Sequence, residues 1–355
     1  MREEDINIAS RKIGPNHSPF IIAEMSANHN QDFNQAVKII EAAKKAGADA
    51  VKLQTYTPDT ITIDCDNDYF RIKGTIWEGK NLYELYGEAY TPWEWQPRLK
   101  KIANDLGMDL FSTPFDHTAV DFLEKMDVSA YKVASFELVD LPLLRKIAQT
   151  GKPIIMSTGM ATLTEIDKAV NAIREAGDNQ LALLKCTSAY PAPPEEMNLR
   201  TIPHLSEAFC VPTGLSDHTL GIAVPVAAVA LGACIIEKHF TLSRTNPGPD
   251  SAFSLEPGEF KAMVEAVRVA EKALGTVHYG RSDEEATSIM FRRSLFVVTD
   301  MDAGEMFTTE NLRSIRPGYG LHTRYSEEVM GRYARQDIKR GTPLTWYLVE
   351  NVRTV

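Results

Sequence analysis

The sequence predicts a (β/α)8 TIM barrel followed by a small β-rich C-terminal domain. Three observations point there. Between Phe20 and about residue 240, eight short apolar runs alternate with helix-length amphipathic segments. Most of these segments close on a glycine turn such as Ala46-Gly-Ala48, Gly151-Lys-Pro153 or Leu231-Gly-Ala233. No G-x-G-x-x-G follows the first run, which weakens a dinucleotide-binding sheet. Regular βα alternation implies parallel strands inside and helices outside. Eight units over this length fit a closed barrel better than an open doubly wound sheet.

In order, the predicted strands are Phe20–Ala27, Ala48–Thr55, Asp109–Thr113, Tyr131–Ser135, Pro153–Ser157, Leu181–Cys186, Val211–Ser216 and Ala233–His239. The first helix carries Phe33, Val37, Ile40 and Ala43 on one stripe and stops at Gly47. Residues 57–92 are too long for a simple connection and bring Trp77, Tyr83, Tyr86 and Tyr90. Such an insertion is equally a cover for a site or a decorated surface loop. A helix over Pro257–Leu274 closes the barrel. The expected division is a barrel over 1–280, a polar linker over 281–292 and a small domain over 293–355. That domain starts with Ser294–Val298, contains Arg316-Pro-Gly and ends with a strand over Leu344–Val349.

Composition narrows the class. The 355 residues suffice for one large domain and one small one. Hydrophobic and charged contents of 44% and 24% are ordinary for a soluble enzyme. A net charge of −10 argues against a general nucleic-acid binder, yet leaves room for a locally positive site. Cys65, Cys186, Cys210 and Cys234 have no C-x-x-C spacing, and the last three sit in apolar runs. They read as small core residues in a reducing compartment. The charged start Met-Arg-Glu-Glu-Asp has no apolar signal region, and no stretch is long enough to span a bilayer. A cytoplasmic protein without membrane or nucleic-acid partners is expected.

Strands of a parallel barrel are buried on both faces, so polar residues within them need a reason. Side chains two apart share a face. Val51 and Leu53 suit the helix layer, which sends Lys52 and Gln54 into the mouth. The same rule groups Glu24, Ser26 and Asn28, then Gly214, Ser216 and His218, then Glu237 and His239. Lys132 and Ser135 break the parity, so one lies past a strand end or on a bulge. Lysines and hydroxyls at strand ends can neutralise a phosphate or carboxylate. Taken singly, either lysine could be a buried ion pair and either histidine a core imidazole. Their convergence favours an anion site beside a metal on His218 and His239. Asn28-His29-Asn30 reads as a capping turn or a site loop.

These residues fall in recognisable motifs. Ala23-Glu-Met-Ser-Ala-Asn-His29, Lys52-Leu-Gln54, Ser112-Thr-Pro-Phe-Asp116, Lys132-Val-Ala-Ser135, Ser157-Thr-Gly-Met160, Cys186-Thr-Ser-Ala-Tyr-Pro191, Ser216-Asp-His218, Glu237-Lys-His-Phe-Thr241 and Gly248-Pro-Asp250 resemble the sialic acid synthase family, in order and over almost the whole chain. Arg316-Pro-Gly resembles the antifreeze-protein-like (SAF) domain that follows in that family. The resemblance implies a phosphoenolpyruvate-condensing enzyme that builds a nine-carbon sugar acid. It implies a divalent metal, Mn(II) first with Co(II) or Mg(II) as alternatives, on His218 and His239. It places phosphoenolpyruvate on Lys52, Thr113, Lys132, Ser135, Ser157, Ser188 and Ser216. Glu24 would handle a proton near the aldehyde. Gln54, Phe115, Tyr190, Asp250 and Arg316 would contact the sugar, with Arg316 delivered from a partner subunit in a homodimer with exchanged C-terminal domains.

Two departures choose a branch. Ser188 and Lys185 stand where sialic acid members carry Asn and His, and the first motif reads Met-Ser-Ala-Asn-His. With Pro92-Trp-Glu-Trp95, this resembles the pseudaminic acid synthases, whose acceptor is a 2,4-diacetamido-2,4,6-trideoxy sugar. N-acetylneuraminic or legionaminic acid synthesis is the runner-up. A Schiff-base aldolase using Lys132 or Lys185, and a carbohydrate-binding module in residues 290–355, rank below it.

Overall fold

The structure, a computed structural model, describes residues 5–177, 180–246 and 248–350. The charged start Met1–Glu4 and the tail 351–355 lie outside these. The chain forms two compact units, Met1–Gly275 and Thr276–Val355. The boundary falls a few residues ahead of the one expected at 280.

A short antiparallel hairpin comes first, β1 (Ile6–Ile8) with β2 (Arg11–Ile13). Ile6, Ile8 and Ile13 are fully buried with Phe20 and Ile22, each side chain contributing roughly 1.5–3 kcal/mol. The sequence reading did not include this hairpin. Then follow β3 (Phe20–Glu24), β4 (Ala50–Thr55), β5 (Asp109–Pro114), β6 (Tyr131–Val133), β7 (Ile154–Ser157), β8 (Leu181–Cys186), β9 (Thr213–Asp217) and β10 (Ile235–His239). All eight are parallel, and β10 pairs with β3 to close the barrel. Gly214 is required by a close approach: a Cβ there would lie 2.4 Å from the Ile235 carbonyl and 2.7 Å from the Leu184 side chain.

The helices follow from capping and spacing. Asp32 accepts from the Asn34 amide and starts the helix Phe33–Lys45, whose Ala36, Ile39, Ile40 and Ala43 are buried. Gly47, at φ 92°, ends it. The last helix, Pro257–Leu274, buries Phe260, Met263, Val264 and Val267.

Strand lengths carry two corrections. β3 stops at Glu24, and Ser26–His29 is a 3-10 turn with Ser26 at φ 45°. Parity therefore fails for Asn28, whose amide donates to the Phe240 carbonyl (3.0 Å) and the Ser254 hydroxyl (2.9 Å). Asn28 ties the turn to the loop after β10. Ser135 lies past the end of β6, which resolves the parity conflict with Lys132. Cys210 is not in a strand; it is the half-buried, left-handed cap of the helix Thr201–Phe209.

His29 resolves as a capping turn. Its Nδ1 accepts from the Gln31 amide (3.1 Å), which leaves Nε2 protonated to donate to Thr91 Oγ1 (3.1 Å). Burial pulls its pKa from 6.5 down to about 4. The unfolded chain takes up that proton first, so His29 contributes stability present above pH 6.5 and lost as the pH falls toward 4. At pH 5 the loss is about 2 kcal/mol by linkage. His29→Gln should flatten the decline of the urea midpoint between pH 7 and pH 5; an unchanged slope would remove His29 from the acid limb.

In the second unit, β11 (Ser294–Val297) pairs antiparallel with β12 (Leu312–Ile315) over a core that includes Leu295, Met301, Phe307, Val329 and Leu344. The strand expected over Leu344–Val349 does not form. Trp346–Leu348 is a 3-10 turn: Leu344, Leu348 and Val349 are buried, while Trp346, which alternation would also bury, is exposed with Thr345 and Tyr347. The segment expected as a linker carries a 3-10 helix, Ala286–Phe291, whose Met290 carbonyl accepts from the Gly318 amide.

Candidate active site

Each barrel strand brings polar side chains to the C-terminal mouth. The register sets His239 beside Glu24, Glu24 beside Lys52, Gln54 beside Thr113 and Glu237 beside Ser216. Pleating turns these residues to the interior and leaves Val51 and Leu53 to the helix layer. Asp217 and Lys238 alternate outward, where they form a fully buried ion pair behind the two histidines.

The floor of the mouth is a charge network. Lys52 Nζ lies 2.9 Å from Glu24 Oε2 and 3.0 Å from Glu237 Oε1. Lys132 Nζ lies 3.9 Å from the same Glu237 oxygen and donates to Ser157 Oγ (2.6 Å) and the Val133 carbonyl (2.8 Å). Ser216 Oγ donates to Glu237 Oε1 (3.2 Å). Burial pushes Glu24 up from 4.5 to about 7, and the neighbouring Glu237 adds to the push against the pull of Lys52. Burial pulls Lys132 down from 10.5 to about 8, with Glu237 opposing. Glu237 is held below its ordinary value because the two lysines outweigh its burial. Thus Glu237 occupies the cations that an incoming anion would meet.

The hydroxyls gather beside this floor. The Gly159 amide donates to Ser135 Oγ (3.0 Å). A Cβ on Gly159 would lie 2.7 Å from that oxygen and 2.3 Å from Ser188 Oγ, so Ser135 and Ser188 meet over this glycine. Thr113 Oγ1 is buried with no hydrogen-bond partner among the described residues. Together with Ser157 and Ser216, they form a ring of donors suited to phosphate and carboxylate oxygens.

Above the floor stand the two imidazoles, their centroids 5.3 Å apart. His218 Nδ1 donates to the Thr187 carbonyl (2.9 Å), so Nε2 is the nitrogen left to bind a metal once the ring is neutral. His239 is kept neutral because burial, with His218 and Lys52 nearby, holds its pKa well below 6.5. Its Nδ1 is buried and has no partner among the described residues. Burial works against the charge on His218, but Cys186, the Thr187 carbonyl and Asp217 outweigh it and raise its pKa. A neutral imidazole with an orphaned nitrogen, beside a second that a cation would have to deprotonate, fits a loosely held divalent cation of the nitrogen- and oxygen-binding kind. Among the described residues, no group of three or more His, Cys, Asp or Glu side chains could form a closed cage.

A cavity of about 510 Å³ opens beyond His239, lined by Ser26, Gln54, Phe115, Tyr190 and Asp250 among others. Gln54 Nε2 donates to Ser26 Oγ (2.8 Å) and Glu24 Oε1 (3.3 Å), and Ser26 hydrogen-bonds Asp250. Tyr190 packs on His218 with centroids 4.4 Å apart. The 57–92 insertion lies over this cavity, with Ile61, Ile72, Trp77, Leu82 and Tyr86 on the wall. Of the two readings left open, it is a cover. Arg316 belongs to the second unit, where it is exposed after β12.

Two residues at the mouth carried no sequence signal. Glu137 lines the cavity from the 3-10 turn Glu137–Val139; burial raises it to about 7, and its Oε2 has no partner among the described residues. Cys186 lies with its sulfur 3.8 Å from His218 Nδ1. Burial pushes its thiol up, but His218, Ser135 and Lys132 outweigh this and bring it to about 7. The first sits beyond a strand end, where period-two reasoning stops; the second reads in sequence as a small core residue.

A parallel barrel whose mouth joins two buried lysines, a hydroxyl ring and paired imidazoles to a covered cavity defines an enzyme fold set up for an anion and a second substrate. The chain belongs to the NeuB family, whose model matches residues 39–279, and a SAF domain matches residues 292–350. It is 49% identical over 325 residues to a pseudaminic acid synthase of Campylobacter jejuni, covering 92% of this chain and 95% of that protein. A pseudaminic acid synthase of Helicobacter pylori is 46% identical over 328 residues, 92% of this chain and 96% of that one. The solved N-acetylneuraminic acid (sialic acid) synthetase of Leptospira borgpetersenii superposes with a TM-score of 0.72 at 33% identity, covering 81% and 95% of the two chains.

Proposed function

We propose that this chain is a pseudaminic acid synthase. It condenses phosphoenolpyruvate with the open-chain aldehyde of 2,4-diacetamido-2,4,6-trideoxy-β-L-altropyranose and water, giving pseudaminic acid and phosphate. The similarity of 46–49% to pseudaminic acid synthases over 92% of the chain carries this reading. The geometry of the mouth supports it.

Phosphoenolpyruvate would enter on Lys52 and Lys132, with Thr113, Ser135, Ser157, Ser188 and Ser216 donating to its oxygens. The anion takes over part of the charge balance that Glu237 supplies in its absence. The acceptor lies in the cavity against Gln54, Phe115, Tyr190 and Asp250, and Glu137 offers a further carboxyl to an amide or hydroxyl. C3 of the enol phosphate forms the new bond to the aldehyde carbon. The aldehyde oxygen takes the proton that Glu24, with its raised pKa, still holds near neutrality. Water adds at C2 and gives up both its protons, one restoring Glu24 and one leaving with phosphate as the C2–O bond breaks to give the ketone. A divalent cation, Mn(II) first with Co(II) or Mg(II) as alternatives, would on His218 and His239 supply Lewis-acid polarisation of the aldehyde.

We also read the enzyme as a cytoplasmic homodimer with exchanged C-terminal domains, each barrel receiving Arg316 of the partner subunit. The four cysteines stand free of one another, which fits a reducing compartment. No helix among the described residues is long and apolar enough to cross a membrane.

A second reading is N-acetylneuraminic or legionaminic acid synthesis, favoured by the likeness to the Leptospira synthetase. Incubation with phosphoenolpyruvate, Mn(II) and each sugar decides between them. Phosphate release with the trideoxy-altrose, at a rate at least tenfold above that with N-acetylmannosamine, is expected. The opposite preference would sink the branch assignment. Borohydride trapping of substrate on Lys132 or Lys185, together with turnover insensitive to EDTA, would replace the whole mechanism by Schiff-base chemistry.

A further inference from the structure

The cavity beside His239 has two unlike walls. The barrel side carries the ionisable and amide groups, Gln54, Glu137, His239 and Asp250, among the rings of Phe115, Phe136 and Tyr190. The side built by the 57–92 insertion has an aliphatic patch of Ile61, Ile72, Leu82 and Leu85, with Thr75, Trp77 and Tyr86 around it. Leu85 is buried, but Ile61, Ile72 and Leu82 are only half-buried, so part of their surface is left for whatever fills the cavity. Burying such surface is favourable, at about 0.8 kcal/mol per CH₂-sized group.

The wall is a built one. Arg71 pairs antiparallel with Asn81, the Ile72 amide donates to the Lys80 carbonyl (3.0 Å), and the Leu82 amide donates to the Phe70 carbonyl (2.9 Å). This small ribbon brings Ile72 and Leu82 to one cavity wall. Asn81 then caps the helix Leu82–Ala89. At the far end of the ribbon, Trp77 Nε1 donates to the Pro249 carbonyl (2.8 Å), which ties the insertion to the loop after β10. The Trp77 ring packs 5.7 Å from Tyr190, and Tyr190 packs on His218. Two aromatic steps therefore lead from the imidazole pair to the insertion.

An aliphatic wall suits only certain sugars. A hydroxymethyl group pressed on the side chains of Ile72 and Leu82 would lose water contacts, and neither side chain offers a hydrogen bond to replace them. A methyl group would gain. We propose that Ile72 and Leu82 are specificity-determining residues that select the 6-deoxy end of the acceptor by burying its C6 methyl. This rests on the pseudaminic acid synthase reading and adds to it which residues read the missing hydroxyl. An apolar pocket discriminates against an added hydroxyl by roughly 10- to 100-fold.

The test is phosphate release by the full chain with saturating phosphoenolpyruvate and Mn(II). The acceptors are the trideoxy sugar and its 6-hydroxy counterpart, a 2,4-diacetamido-2,4-dideoxy hexose. The native chain should favour the trideoxy sugar about 10- to 100-fold in kcat/KM. In Ile72→Thr and Leu82→Asn this ratio should fall to a few-fold, with KM for phosphoenolpyruvate within twofold of native, and Ile72→Val should keep the ratio. A ratio unchanged in both polar variants overturns the inference. So does a native enzyme that uses both sugars equally, although the reaction assignment then stands. A native enzyme inert toward the trideoxy sugar but active on N-acetylmannosamine removes both.

Discussion

Lys52→Met should abolish phosphate release and lower the melting temperature of the barrel by roughly 10 °C. Lys52 is the only cation within 3 Å of either Glu24 or Glu237 among the described ion pairs, and all three side chains are buried. Removing it leaves two carboxylates facing each other, with Lys132 at 3.9 Å from Glu237 as the remaining counter-charge. Breaking a buried ionic group on one side costs about 3–5 kcal/mol. The penalty should depend on pH in a defined direction. Glu24 holds its proton more tightly folded than unfolded, at about 7 against 4.5. Its contribution to stability is therefore fully present below 4.5 and lost as the pH rises through about 7. Without Lys52 that proton is held more tightly still. The deficit of the variant should be largest at pH 8 and shrink markedly by pH 5.5, read from thermal melts at both values. A variant as stable as the native chain at pH 8 would show that Glu24 is protonated there and needs no counter-charge.

The same network shows where the sequence could be read. The eight strands were legible because runs such as Ile154–Ser157 and Leu181–Cys186 are apolar on both faces, and their few polar residues stand out against that background. Lys52, Gln54, Glu237 and His239 then fall on the interior by parity alone. Legibility ended where the backbone leaves the strand. Ser26 turns at positive φ, so Asn28 points to the loop after β10 rather than into the mouth. Glu137 reaches the cavity from a 3-10 turn, and no period connects it to Lys132. The meeting of Ser135 and Ser188 over Gly159 is a contact between segments far apart in sequence and has no local signature. The insertion posed a different difficulty. Its aromatic residues fit a cover and a surface loop alike, and the bond from Trp77 to Pro249 that decides the matter joins residues far apart in the chain. In the small domain, Leu344 and Leu348 satisfied the strand pattern and the turn pattern together, and packing chose the turn.

His239→Ala should reduce phosphate release by about a hundred- to a thousandfold, the scale of losing one main electrostatic stabiliser of the reacting oxygen. It should also weaken Mn(II) binding, measured by equilibrium dialysis without substrates, by about tenfold or more. The fold should survive. The imidazole is neutral, its Nδ1 has no hydrogen-bond partner among the described residues, and its ring contacts are Phe253 at 4.9 Å, His218 at 5.3 Å and Tyr190 at 6.4 Å. Truncation thus breaks no buried ion pair and widens a cavity that is already open. A loss of about 1–2 kcal/mol is expected, below that of a closed core position. The contrast with Lys52 is the point of the experiment. Lys52→Met should lose stability and activity together, because its charge balances two carboxylates in the substrate-free fold. His239→Ala should lose metal affinity and activity with the melting temperature shifted by only a few degrees. Unfolding of His239→Ala would make the ring a packing element. Unchanged Mn(II) affinity would take the metal away from this pair of strands and leave the aldehyde to be polarised by Glu24 and Lys52.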